Sequence, residues 1–171
     1  MKKLTLLCAL ICLFAVPVSW ASAQNQQQKK KTTNATAQPA VFASVADEIN
    51  HNIGEMLGAW QVGDVEAMHK YYADDATWVS GSYDPPIAGW QNYVPKYLQQ
   101  RKGFTGIQLI PKNVNIFHYG DTAWACYQWE FMGLNQGKPV EARGQTTLVF
   151  VKQNGSWLIV HNHTSEICPG M

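Results

Sequence analysis

Asn154-Gly155-Ser156-Trp157-Leu158-Ile159-Val160-His161-Asn162-His163-Thr164-Ser165 decides how this chain is read. Asn-Gly before an apolar run is a hairpin signal, and the run after it is β-branched and aromatic enough for a strand. Strict alternation puts Trp157, Ile159, His161, His163 and Ser165 on one face and Leu158, Val160, Asn162 and Thr164 on the other. Neither set is a plain solvent face. Working back from here, Val140 to Lys152 is the preceding strand, joined through Gln153–Ser156. Asn135-Gln136-Gly137 turns into it from a long strand, Thr122 to Leu134. Gly120-Asp121 turns the chain before that, out of a strand over Ile107 to Tyr119 that Pro111 should kink or bulge.

Upstream of Gly103 the apolar period is helical. Ser44, with Asp47 three residues on, can cap a helix over about 44–61 whose buried stripe is Val45, Ile49, Ile53, Met56, Leu57 and Trp60. Gly63-Asp64 breaks it and starts a short second helix over Val65 to Tyr72, which Asp74-Asp75 should end. Ala76 to Ser80 is a brief strand. Trp90 to Gln100 is a third helix, with Pro95 tolerable only in the first turn. The order predicts an α+β fold, three N-terminal helices packed on a curved antiparallel sheet. The fourth strand is also two-faced, Val140, Ala142, Leu148 and Phe150 alternating with Arg143, Gln145, Val149 and Val151. If helices cover one face, a second subunit is the simple cover for the other, so a homodimer or larger ring is expected.

The segment before residue 41 is an address and a tail. Lys2-Lys3, an apolar run from Leu4 to Val18 and Ala21-Ser22-Ala23 make a secretory signal peptide over 1–23, cut after Ala23. Residues 24–40 are polar and repetitive and should be a disordered linker, leaving 41–171 as the domain. The chain is expected to be exported, to the periplasm or beyond the cell, with no membrane attachment after cleavage. Its 13 basic and 12 acidic residues give a net charge of +1. Five of the lysines precede residue 41, so the body carries about −4 and has no electrostatic footprint for nucleic acid. Cys126 and Cys168 could pair after export.

The element order, Gly120-Asp121-Thr122-Ala123 at a hairpin, and the ending G-x-W-x-x-V-H-x-H-x-S resemble the SnoaL-like branch of the nuclear transport factor 2-like superfamily. The ending is most similar to the calcium/calmodulin-dependent protein kinase II association domain and its bacterial relatives. The resemblance implies a cone-shaped α+β barrel with a pocket between helices and concave sheet, and commonly a dimer or larger ring. The kinase association domains place an arginine nine positions before the Trp of the ending. Leu148 stands there in this sequence, and Arg143 lies five residues earlier, on the opposite strand face by parity.

The candidate site residues follow from chemistry and from that resemblance. His161 and His163, two apart on a strand, could share a ligand or a metal, hydrogen-bond a small molecule, or be structural. Arg143, one of two arginines, could clamp a ligand carboxylate, or pair with Glu130 or Glu141, or sit as a rim charge. Trp78, Tyr93 and Tyr97 are the aromatic pocket candidates, because the resemblance puts the first strand and third helix at the cavity mouth. If the domain is an enzyme of the isomerase or hydratase type, His163 or Asp75 is the candidate base. No phosphate loop, nucleophile elbow or paired-cysteine zinc motif is present, so no metal site and no cofactor is assigned. The reading is a small-molecule-binding domain, with a proton-transfer enzyme or a pure oligomerisation domain as alternatives.

Overall fold

The computed structural model describes residues 41–81 and 83–167. The expected signal peptide and linker, and Cys168, lie outside the described residues.

Caps and turns set the elements. The Ser44 hydroxyl accepts the Asp47 N–H at 3.1 Å and donates to the Asp47 carboxylate at 2.8 Å, opening helix α1, Val45–Val62. Gly63, left-handed at φ 82°, closes it. Asp64 accepts the Ala67 N–H at 2.9 Å and caps α2. That helix is only Val65–His69, shorter than the sequence predicts. The chain becomes extended at Tyr72 because β1, Tyr72–Ser80, pairs there with the final strand. Asp74 and Asp75 therefore lie in a strand rather than at a helix end. A two-residue strand β2, Ile87–Ala88, precedes α3, Trp90–Arg101. Pro95 falls in the second turn of α3, not the first; its position is exposed, where water can meet the carbonyl of Gln91 that loses its partner.

The remaining strands are β3 (Phe104–Tyr119), β4 (Thr122–Asn135), β5 (Lys138–Gln153) and β6 (Ser156–Glu166). Gly120-Asp121, Gln136-Gly137 and Asn154-Gly155 are their two-residue connections, and positive φ at both residues of the last two matches the tight hairpin turns expected. Pro111 stays in register with Trp129 on the edge strand β3; the irregularities flank it, one between Thr105 and Gln108 and one between Lys112 and Asn115.

The sheet is curved and unclosed, in the order β2-β1-β6-β5-β4-β3. It is mixed rather than purely antiparallel, because β1 pairs with β6 in parallel. Such a pair needs a long crossover, and everything from β2 to β5 supplies it. One face is covered. Ile49, Ile53, Met56 and Leu57 of α1 pack on Ala123, Ala125, Tyr127, Leu148, Phe150, Trp157 and Ile159. Burying side chains of this size contributes about 1.5–3 kcal/mol each. No described helix is long and apolar enough to cross a membrane.

One distortion reassigns the faces of β6. Phe150 pairs with Ile159, and Val149 with His161, so Val160 has no partner of its own. A single extra residue inverts parity beyond it. Trp157 and Ile159 face the helices, but His161, His163 and Ser165 do not share their face. Asn162 and Thr164, opposite Leu148 and Thr146, take the helix-covered side instead. The neighbouring strand shifts register with the bulge: Tyr72 pairs with Ile159 and Thr77 with His161, and of the residues between, Asp74 and Asp75 are exposed while Ala73 and Ala76 stay buried.

Gly144 sits where two strands and an indole crowd together. An added Cβ would run into the Ser165 carbonyl oxygen and the Trp129 ring. Gly144→Ala should therefore cost about 1–3 kcal/mol, the usual penalty of overpacking, read as a lower urea midpoint at unchanged slope.

Candidate functional site: an aromatic chamber and its cleft

A run of aromatic rings lies between α1, α3 and the concave sheet face. Tyr72 packs on Trp78 at 5.1 Å, and Trp78 stacks on Tyr93 at 4.3 Å and 9°. Tyr93 stacks on Tyr97 at 5.9 Å, and Tyr97 meets Trp60 at 5.8 Å. Trp60 then meets Phe131 edge-on at 6.4 Å, and Phe131 meets Phe104 at 5.8 Å. Helical spacing places Tyr93 and Tyr97 on one face of α3, one turn apart.

The chamber is polar along the sheet. The Asn162 amide donates to the Tyr72 phenol at 2.9 Å, and Thr164 donates to the Asn162 carbonyl oxygen at 2.8 Å. Thr146 and Thr164 share a hydrogen bond at 2.7 Å. The Tyr72 hydroxyl in turn points at the Met56 sulfur, 3.8 Å away. Among the described residues, the buried indole N–H groups of Trp78, Trp129 and Trp157 find no acceptor; that of Trp78 lies near the Tyr72 phenol without completing a hydrogen bond to it. Buried donors without partners are uncommon and costly.

At the far end of the packed ring run lies a cleft of about 210 Å³. Trp60, Tyr97, Gln100, Arg101, Phe104, Ile107 and Phe131 line it. The ends of α1 and α3 and the starts of β3 and the Phe131 stretch of β4 make its walls. The Tyr97 hydroxyl donates to the Trp60 carbonyl at 2.6 Å, and Arg101 donates to the same carbonyl at 3.0 Å, tying the two helix ends together. A second, more open hollow of about 420 Å³ lies among His69, Tyr72, Ala73, Asp74, Asp75, Gln153 and Leu158. There His69 Nε2 is 2.8 Å from an Asp74 carboxylate oxygen, and the imidazole stacks on Trp90 at 4.4 Å and 1°.

The profile of the SnoaL-like domain family matches residues 49–169. The chain belongs to this family. No curated protein matches it. Among solved structures, the SnoaL-like domain is similar to a ketosteroid isomerase-like protein from Erwinia carotovora atroseptica, at 23% identity and TM-score 0.64, covering 75% of this chain and 100% of that one. It is also similar to a Xanthomonas campestris protein labelled a calcium/calmodulin-dependent protein kinase II association domain, at 17% identity and TM-score 0.66, covering 77% and 95%. A nuclear transport factor 2-like superfamily protein from Salmonella enterica shares 22% identity at TM-score 0.65, covering 72% and 92%. At these identities the likeness establishes the fold.

The SnoaL-like domain divides the residues that its sequence singles out. Tyr97 lines the cleft, and Trp78 and Tyr93 form the ring run behind it. Asp75 is exposed and lines the second hollow. His161 and His163 lie on the helix-free face, opposite Val149 and Thr147; His161 Nδ1 is 2.8 Å from the Thr77 hydroxyl, and His163 is exposed. Arg143 is exposed on that same face. Glu130, across from it, bonds Lys112 at 3.0 Å. Leu148, at the position where the kinase association domains carry arginine, is fully buried. Cys126 is also on the helix-free face, 3.6 Å from the Thr147 hydroxyl. Among the described residues, no group of three or more His, Cys, Asp or Glu side chains could hold a metal ion. Sequence reading missed Arg101, Phe104, Ile107 and Phe131; the one available signal was that Arg101 follows Tyr97 by one helical turn.

Burial pushes the chamber's phenols up: Tyr72 to about 12, and Tyr93 and Tyr127 well above their usual value, with the Asn162 hydrogen bond working the other way on Tyr72. Each folded-state value exceeds the unfolded one, so the folded domain holds these protons more tightly. Their contribution is complete below pH 10 and is lost as pH rises toward 12. Unfolding free energy should be insensitive to the phenols at neutral pH and fall steeply above pH 10. Tyr72→Phe should make that fall shallower by about 1.4 kcal/mol per pH unit between pH 10 and 12, measured by urea titration at each pH.

Proposed function

We propose that this chain is an exported SnoaL-like domain that binds a small, largely apolar molecule in the cleft and works as a homodimer. The cleft itself carries the reading: five apolar or aromatic side chains converge on a concave opening backed by stacked rings, with a few polar groups at its edge. The amino-terminal pattern ending in Ala21-Ser22-Ala23 supports export to the periplasm or the cell exterior. Binding fits better than isomerase or hydratase chemistry. The ionisable groups lining the cleft are Tyr97 and Arg101, neither of which is a base near neutral pH, and burial raises the Tyr97 phenol further. His163 and Asp75 stand away from it.

The helix-free sheet face supports self-association. Phe117 and Trp124 stack there at 5.4 Å while 49% and 39% exposed, and Val149 continues the same cross-strand row. Exposed aromatics in such a row mark a contact surface.

Native mass spectrometry of the exported protein tests both parts. The expected spectrum is a dimer carrying a small organic adduct. Ile107→Trp, which fills the cleft, should remove the adduct and keep the dimer; Trp124→Glu should give folded monomer. A wild-type monomer, or an adduct indifferent to Ile107→Trp, contradicts the corresponding part.

A further inference from the structure

Arg101 is the cation of the cleft, and its surroundings leave its charge unanswered. Nη1 donates to the Trp60 carbonyl at 3.0 Å and to the Tyr97 hydroxyl at 3.2 Å. The guanidinium face at Nε and Cζ packs on Gly63, where a side chain's Cβ would stand 2.6 Å from Nε and 2.9 Å from Cζ. Gly63, left-handed at φ 82°, thus closes α1 and also leaves the room in which the guanidinium lies. Among the described residues no carboxylate comes within ion-pair distance of Arg101. The side chain is half-buried against rings, and three of its five N–H groups lack a protein acceptor there. Desolvating a guanidinium without a counter-charge is unfavourable, so the arrangement is one that an incoming anion completes.

The rest of the lining fixes what else the anion must carry. Trp60, Tyr97, Phe104, Ile107 and Phe131 offer flat rings and an aliphatic wall, with Gln100 the neutral polar neighbour. A volume of about 210 Å³ suits a body of one or two rings. We propose that the cleft selects aromatic carboxylates: the ring body lies among Trp60, Tyr97 and Phe131, and the carboxylate accepts hydrogen bonds from the free N–H groups of Arg101. The guanidinium fork matches a carboxylate, and its two bonds to Trp60 and Tyr97 hold it in place before a ligand arrives. This inference rests on the cleft being a binding site.

The rival account makes Arg101 a staple between two helix ends and nothing more. Calorimetric titration with 2-naphthylacetate and 2-naphthylacetamide separates the two, since the probes share a ring body and differ in charge. The wild type should bind the acid about tenfold more tightly than the amide, the size expected for a charge-assisted pair. Arg101→Met should bring that ratio to about one, whatever its effect on amide affinity. A staple alone would lower the melting temperature and weaken both probes equally, and that result overturns the inference. If Arg101→Met does not fold, the wild-type ratio and Arg101→Lys decide. Lysine keeps the charge but not the fork, so a reduced preference is expected, and a wild-type ratio near one overturns the inference. Equal binding of acid and amide removes the carboxylate preference and leaves the cleft reading standing; binding of neither probe contradicts both.

Discussion

The extra residue Val160 in the last strand is the constraint on which the rest of this domain depends. Before it, Trp157 and Ile159 anchor β6 in the core. After it, the strand continues in hydrogen-bonded register with β5, but with its side chains exchanged between faces. An unbroken strand would have aimed His161 and His163 at the helices and exposed Asn162 and Thr164. The bulge does the reverse. It delivers an amide and a hydroxyl to the chamber, where Asn162 meets the Tyr72 phenol, and keeps two titratable rings out of a low-dielectric interior in which charging them would be costly. It also shifts the register of β1, and Asp74 and Asp75 reach solvent between Tyr72 and Thr77.

The chamber that results is held by rings more than by charges. From Tyr72 to Phe104 each aromatic side chain touches the next, and the run links β1, α3, α1, β4 and β3 without an ion pair among them. Offset and edge-on contacts of this kind contribute about 0.5–1.5 kcal/mol each beyond the area they bury. The hydrogen bonds of Tyr97 and Arg101 to one carbonyl at the end of α1 set the width of the opening. Packing therefore shapes the cleft, and the few polar groups at its edge determine what it can recognise.

The fold was legible because its signals are local and repeated. Three two-residue turns, the Ser44 and Asp64 caps and the shift from helical to alternating apolar period are all written in neighbouring residues. The parallel β1–β6 pairing was not, since residues 84 to 87 apart in sequence leave no local pattern. The short β2 is below the length at which periodicity shows. The candidate site was legible in kind but not in membership. Alternation is a rule about parity, and one unpaired residue defeats it: hence the placing of His161 and His163 with Trp157. Tyr93 and Tyr97 survived because helical spacing carries no such hazard over one turn. Arg101 was invisible for a different reason, since its position matters only once the end of α1 packs beside it.

The face assignment can be tested directly by nuclear Overhauser contacts in the isotope-labelled protein. The account predicts contacts from the His161 ring to Thr77 and from the His163 ring to Thr147 and Val79, together with contacts from the Asn162 side-chain amide to the Tyr72 ring. Contacts from either imidazole to Trp78 or Tyr93, with Asn162 on the side of Val149, would contradict it.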